Sequence, residues 1–90
     1  MGTIVTRNSD GLTINAVGAA TVRDVAEAHA ALIEALGTHT GASIELADAT
    51  SVDAAFAQLV VSATSSFSVE SQMLRVDDPH GLLGRAFSQR

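Results

Sequence analysis

The chain has no cysteine, no lysine, no tryptophan and no tyrosine, and its aromatic side chains are three phenylalanines. Without cysteine there can be no disulfide, no thiolate nucleophile and no thiolate metal site, a composition compatible with a reducing compartment. Without lysine, Schiff-base chemistry and a P-loop lysine are excluded. Its cations are five arginines (Arg7, Arg23, Arg75, Arg85 and Arg90) against ten acids, for a net charge of −5. They form no basic run. A nucleic-acid groove needs cations to displace counterions and aromatic faces to stack bases, so nucleic acid is not an expected partner. No apolar run approaches the ~20 residues that span a bilayer. Met1–Thr6 carries neither a basic region nor a long apolar stretch, so neither membrane insertion nor a leader is expected. These absences together read as a cytoplasmic protein.

Ninety residues suit a single domain spanning 1–90. A domain of this size buries only about two-thirds of the surface its unfolded chain exposes. Residues of apolar type make up 47% of the sequence, enough for a packed core and too many for a disordered chain. Much of that share is alanine, which predicts a thin core between closely approaching elements.

Thr3–Arg7 is a β-branched run and reads as a strand. Asn8-Ser9-Asp10-Gly11 contains the Asp-Gly turn signal, and Leu12–Val17 alternates apolar with polar, so the two runs predict an antiparallel hairpin. Gly18-Ala19-Ala20 breaks the alternation. Thr21-Val22-Arg23-Asp24 resembles a capping box with Asp in place of Glu. Val22, Val25, His29, Leu32, Ile33 and Leu36 follow at helical spacing, with Gly37 as the expected residue after the helix end. Ser43–Ala47 predicts a third strand, Asp48–Ser51 a loop, and Asp53 the start of a second helix with Phe56, Leu59, Val60, Ala63 and Phe67 as its buried stripe. Met73–Asp77 predicts a fourth strand, Asp78–Gly81 a turn, and Leu82–Phe87 a short closing helix. The order ββαβαβα implies an α/β fold, a four-stranded mixed sheet with helices mainly on one face.

The chain shows little catalytic vocabulary. Asp53 as a general acid or base needs a partner within hydrogen-bond reach. Asp48 is the nearest carboxylate, and two carboxylates alone make a poor divalent-cation site. As a helix cap, Asp53 would accept an amide from Ala55 or Phe56 and complement the helix dipole. His29, on the apolar side of the first helix, has no second histidine at a chelating spacing; His39 and His80 fall in separate loops. None of Ser62, Ser65, Ser66 and Ser68 lies in a Gly-x-Ser-x-Gly elbow. Gly81-Leu82-Leu83-Gly84 lacks the clustered glycines and lysine of a phosphate loop. No catalytic residue, metal or cofactor is therefore assigned. One feature points to binding. The face of the second helix opposite its stripe carries Ala54, Ala57, Gln58 and Val61, and no charged residue lies between Ala54 and Val69. A small, uncharged helical face suits close packing by another protein; the helix propensity of alanine accounts for part of it.

The segment Ile44-Glu45-Leu46-Ala47-Asp48-Ala49-Thr50-Ser51-Val52-Asp53-Ala54-Ala55-Phe56 resembles the signature of STAS domains, the anti-sigma-factor antagonist family, in which an acid-bearing strand leads through a short loop into Asp-Ser-Ser-Gly-Leu at a helix start. Glu45 stands at the strand acid and Asp53 at the motif aspartate. The strand Leu12–Gly18 and helix Thr21–Leu36 are similar to the family's opening, and the resemblance extends to about Phe87. It implies a non-enzymatic module for protein partners. In the antagonist branch a kinase-type anti-sigma factor phosphorylates the hydroxyl residue after the aspartate, and the added charge weakens binding. A second branch serves as a small subunit of lipid-transporting ABC ATPases.

This sequence departs from the motif where it matters most. Ala54 stands at the phosphoacceptor, and Ala55 and Phe56 replace the following serine and glycine. The resemblance thus implies a docking module in signalling or transcription regulation that lacks the phosphoswitch. Its contact residues would be Thr50, Ser51, Asp53, Ala54, Ala57, Gln58 and Val61. Thr50 and Ser51 are the nearest hydroxyls, on the opposite side of Asp53. A homodimer through the same helix face is a variant of this reading, and a small-ligand-binding domain is the alternative from another class.

Overall fold

The computed structural model describes residues 2–8 and 11–88. The chain runs β1 (Gly2–Asn8), β2 (Gly11–Ala20), α1 (Val22–Thr38), β3 (Gly41–Glu45), β4 (Ala49–Val52), α2 (Ala54–Val69), β5 (Leu74–Asp77) and α3 (Leu82–Ser88). β1 and β2 form the expected antiparallel hairpin, in continuous register from Gly2 opposite Val17 to Asn8 opposite Gly11; the central turn residues Ser9 and Asp10 lie outside the described residues. β3 pairs parallel with the first half of β2, and β5 pairs parallel with β3. The main sheet order is β1-β2-β3-β5. Strict alternation in β2 and β3 buries Leu12, Ile14, Ala16, Ala42 and Ile44 on one face. α1 lies against β1, β2 and β3; α2 packs on α1 and β5; α3 meets α2 and β4. Phe56 and Phe67 from α2 fill the core between these layers.

The α/β class and the mixed sheet agree with the sequence reading, but the element order is ββαββαβα. The segment expected as a loop supplies a fifth strand, β4, parallel to the far end of β2. It forms because β2 does not stop at Val17. Gly18 takes φ 77, the register shifts there, and the strand continues to Ala20 with Ala19 opposite Ser51 and Ala20 opposite Val52. A glycine accommodates this positive φ without a Cβ clash, so the expected break is not an end of β2: the strand runs on, and the extra residue at the register shift is Thr50 of β4.

α1 also differs from its pattern. Its buried residues are Ala28, Ala31, Leu32 and Ala35, while Val22 and Ile33, expected in the stripe, are exposed. Alanines let the helix axis approach the sheet closely, so the small side faces inward and larger residues turn out. Nor does Gly37 end the helix. α1 continues through Thr38, and His39 takes the left-handed position at φ 57. Thr40 N–H donates to the Ala35 carbonyl at 3.1 Å, the long bond of a Schellman end. The Gln72 side-chain amide donates to the carbonyls of Ala35 at 3.0 Å and Thr40 at 2.7 Å, pinning this end from the approach to β5.

Candidate functional site

β2 and β4 run parallel, side by side, into α1 and α2, with a single residue between strand and helix in each case: Thr21 and Asp53. Both are helix caps. Thr21 makes the expected capping box: its hydroxyl accepts from Arg23 N–H at 3.3 Å, and its own N–H donates to Asp24 Oδ2 at 2.8 Å. Asp53 is in extended conformation, and its Oδ1 accepts the Phe56 amide at 2.9 Å. Its second oxygen makes a bond that local sequence could not indicate. Oδ2 accepts the amide of Val22, the first residue of α1, at 2.9 Å. Asp53 N–H donates in turn to the Ala20 carbonyl at 3.0 Å. One carboxylate thus caps two helices and neutralises the positive ends of both dipoles.

This geometry gives Asp53 a structural rather than a catalytic setting, since backbone amides engage both of its oxygens. Asp48 lies exposed in the preceding turn, where its backbone carbonyl accepts Gly18 N–H at 3.1 Å. His29 is exposed on α1. His80 Nε2 lies 3.1 Å from the Ala47 carbonyl. Among the described residues no group of three or more histidine or acidic side chains is placed to hold a metal ion. No described helix is long and apolar enough to cross a membrane.

The residues singled out from sequence divide into two sets. Thr50 and Ser51 form the exposed middle of β4; Ala54, Gln58 and Val61 are exposed along α2; and Asp53 is half-buried between the helices. Ala57 is different. It is 0% exposed, so it belongs to the core and not to the outer face. α2 is covered by α1, by β5 and by α3, whose Leu82 and Ala86 are also buried. Its buried arc is therefore wider than the spacing of its large residues implied.

Two contributors were missed. Val22 was assigned to the core, yet it is 65% exposed beside the Asp53 carboxylate and adds an apolar side chain from α1. Asp78 caps α3, accepting the amides of Leu82 at 2.9 Å and Leu83 at 3.0 Å; an Asp-Pro pair just before a short apolar helix was the available signal. Beyond Val61, at 54% exposure, a shallow cleft of about 590 Å³ opens between α2, β5 and α3, lined by Val60, Val61, Thr64, Val76 and Leu83 among others. A narrow cleft of about 70 Å³ lies between α1 and α2 over Leu32, Leu59 and Phe67, well below the several hundred Å³ that enclose a typical small ligand. Away from these, Arg7 on β1 grips Glu34 on α1 in a bidentate pair at 2.7 and 2.9 Å. That hydrogen bond holds the Glu34 carboxyl below its usual range and raises the Arg7 guanidinium.

No family model and no curated protein matches the chain. Solved structures do. The unphosphorylated form of the anti-sigma factor antagonist SpoIIAA aligns over 98% of this chain and 83% of its own, with TM-score 0.79 and 12% identity. An uncharacterised protein from Shewanella loihica PV-4 with a SpoIIAA-like fold aligns over 93% and 91%, with TM-score 0.51 and 14% identity. A structure of Mglu aligns with TM-score 0.71 and 17% identity over 86% of this chain, which spans only 19% of that protein's length. Identities this low speak to architecture alone, and that architecture is the SpoIIAA-like, STAS-type fold.

Proposed function

We propose that this chain is a single-domain, non-enzymatic docking module of the anti-sigma-factor antagonist kind that lacks the hydroxyl-based phosphoswitch. The observation that supports it most is the surface around the start of α2. Asp53 fixes two helix starts side by side, with exposed Val22, Ser51 and Ala54 beside it and exposed Gln58 and Val61 further along α2. Apart from Asp53, whose two oxygens are already engaged by backbone amides, this partly apolar patch carries no charge on a chain of net charge −5, which suits burial against a protein partner because few charges need desolvation. The contact set is Thr50, Ser51, Asp53, Ala54, Gln58 and Val61, with Val22 added and Ala57 removed. Asp53 acts within it as the scaffold.

Alanine at position 54 has no oxygen to phosphorylate, so the module stays in its binding state where an antagonist with a hydroxyl there would be switched. The partner implied is a kinase-type anti-sigma factor; a subunit role beside a lipid-transporting ABC ATPase is the alternative branch. The test pairs binding with phosphotransfer. Candidate anti-sigma kinases and ABC ATPases encoded near this gene are titrated against wild type, Ala54→Glu and Val61→Glu. Tight binding by wild type, weakened at least tenfold by either variant and accompanied by no phosphate incorporation, is the expected result. Phosphate appearing on Ser51 or Thr50, or binding indifferent to both variants, contradicts it.

A further inference from the structure

Among the described residues β1 is the outer strand on its side of the sheet, paired only with β2 along its length. Such an edge presents a row of unpaired backbone amides and carbonyls, and proteins ordinarily blunt it with lysine, proline, a bulge or a short strand. None of these is present. β1 has seven residues in unbroken register with β2, and its sequence Gly-Thr-Ile-Val-Thr-Arg-Asn contains neither lysine nor proline. Its one charge, Arg7, is turned toward α1 and engaged by Glu34. Ile4, near the strand centre, is 56% exposed. Alternation places Ile4 and Thr6 on the open face of the sheet, opposite Asn15 and Thr13, and Val5 on the helix-covered face opposite Ile14.

We propose that β1 is a self-pairing edge, on which a second copy of this chain adds its own β1 antiparallel about a two-fold axis. The register with full overlap centres on Val5. It sets Val5 against Val5 of the second copy, Ile4 against Thr6, and Thr3 against Arg7. The first two are β-branched cross-strand pairs, which favour pairing, and no like charges stand opposite one another. Charge selects the same occupant. The chain carries ten acids, yet β1 itself holds none of them, and the α1 carboxylate that reaches the strand, Glu34, is bound by Arg7, so two copies can meet here without an acid on either edge strand. A foreign extended peptide would gain specificity from pockets beside the edge, and the clefts described above are lined by residues outside β1. The resulting dimer joins two sheets edge to edge and leaves the start of α2 uncovered on each copy, so it is independent of the docking surface.

Ile4→Lys tests this, because an exposed lysine in mid-edge is the ordinary device against strand addition and Ile4 is not a core residue. Sedimentation and light scattering over a concentration series should give a wild-type dimer, with Ile4→Lys monomeric while its circular dichroism and melting temperature stay native. Hydrogen exchange on wild type gives a second readout: the outward-facing amides of β1 should gain protection as concentration rises. A wild type that stays monomeric to the solubility limit overturns the proposal. So does a dimer that survives Ile4→Lys, or one that leaves β1 exchange unchanged.

Discussion

The Asp53 carboxylate lies 2.9 Å from the backbone amide of Val22, thirty-one residues earlier in the chain, while its other oxygen caps its own helix at Phe56. Two parallel strands deliver two helix starts to neighbouring positions, and one acid serves both. A single N-cap is worth about 1 kcal/mol, and bonds to a charged acceptor run higher. Asp53→Ala should therefore lower stability by about 2–3 kcal/mol in urea denaturation. Asp53→Asn, with one oxygen in place of two, should fall between. Ser51→Ala, on the exposed middle of β4, should stay within about 0.5 kcal/mol of wild type. An Asp53→Ala loss no larger than that of a single ordinary cap would show that the bond to Val22 contributes nothing.

Ala54 and Ala57 sit less than one helical turn apart, and only Ala57 is sealed in the core. Glutamate at 57 must be buried without a partner, at a cost of several kcal/mol, a large share of the roughly 5–15 kcal/mol that holds a small domain together. Ala57→Glu should lose its helical circular dichroism or aggregate. Ala54→Glu should fold normally, its new charge standing at a helix N-terminus where acids are favoured.

Gly11 and Gly37 should respond in opposite directions to alanine. A Cβ on Gly11 would stand 2.2 Å from the Gly41 carbonyl oxygen at φ 145, whereas one on Gly37 meets nothing within 4 Å. Gly11→Ala should destabilise by several kcal/mol or prevent the hairpin from pairing with β3, through strain of a kind that exceeds about 1 kcal/mol even without a clash. Gly37→Ala, inside α1, should stabilise by about 0.5–1 kcal/mol. Thermal melts of the two variants read both signs.

The Arg7–Glu34 pair sets a pH dependence whose sign follows from its direction. Glu34 titrates below its usual value in the folded chain because Arg7 bonds its charged form. Its contribution to stability is therefore full above the ordinary glutamate range and disappears as pH falls through the lowered value. Both groups are largely exposed, so the effect is small and salt-sensitive. Carbon-detected titration of Glu34 should show the lowered midpoint, and Arg7→Ala should move it upward.

Much of this fold was legible because its signals are local. Thr21 and Asp24 spell a capping box, Asp53 opens α2, and alternation in Leu12–Val17 marks a half-buried strand. What was not legible depends on contacts distant in sequence. β4 is four residues with buried ends and an exposed middle, a pattern indistinguishable from a loop until β2 is seen to extend past Gly18. The inward face of α1 is largely alanine around Leu32, with Val25 and Leu36 beside it, so the spacing of large residues placed those three correctly but drew the exposed Val22 and Ile33 into the stripe and passed over the alanines. Ala57 looks the same in sequence as Ala54, and only the packing of other elements around α2 separates them. The cap that Asp53 places on α2 was legible in the sequence. Its extension to Val22 required the second bond of one carboxylate.

The proposed function requires that the surface at the start of α2, uncharged apart from Asp53, binds a protein partner and is never switched. Calorimetric titration of Val61→Glu against the partner that wild type binds, after incubation with that partner and ATP, tests it most directly. The account expects wild-type affinity to be unchanged by ATP, with no added phosphate mass, and Val61→Glu to bind at least tenfold more weakly while melting as wild type does. ATP-dependent loss of wild-type binding together with a phosphate on the chain, or equal affinity of the variant, would contradict it.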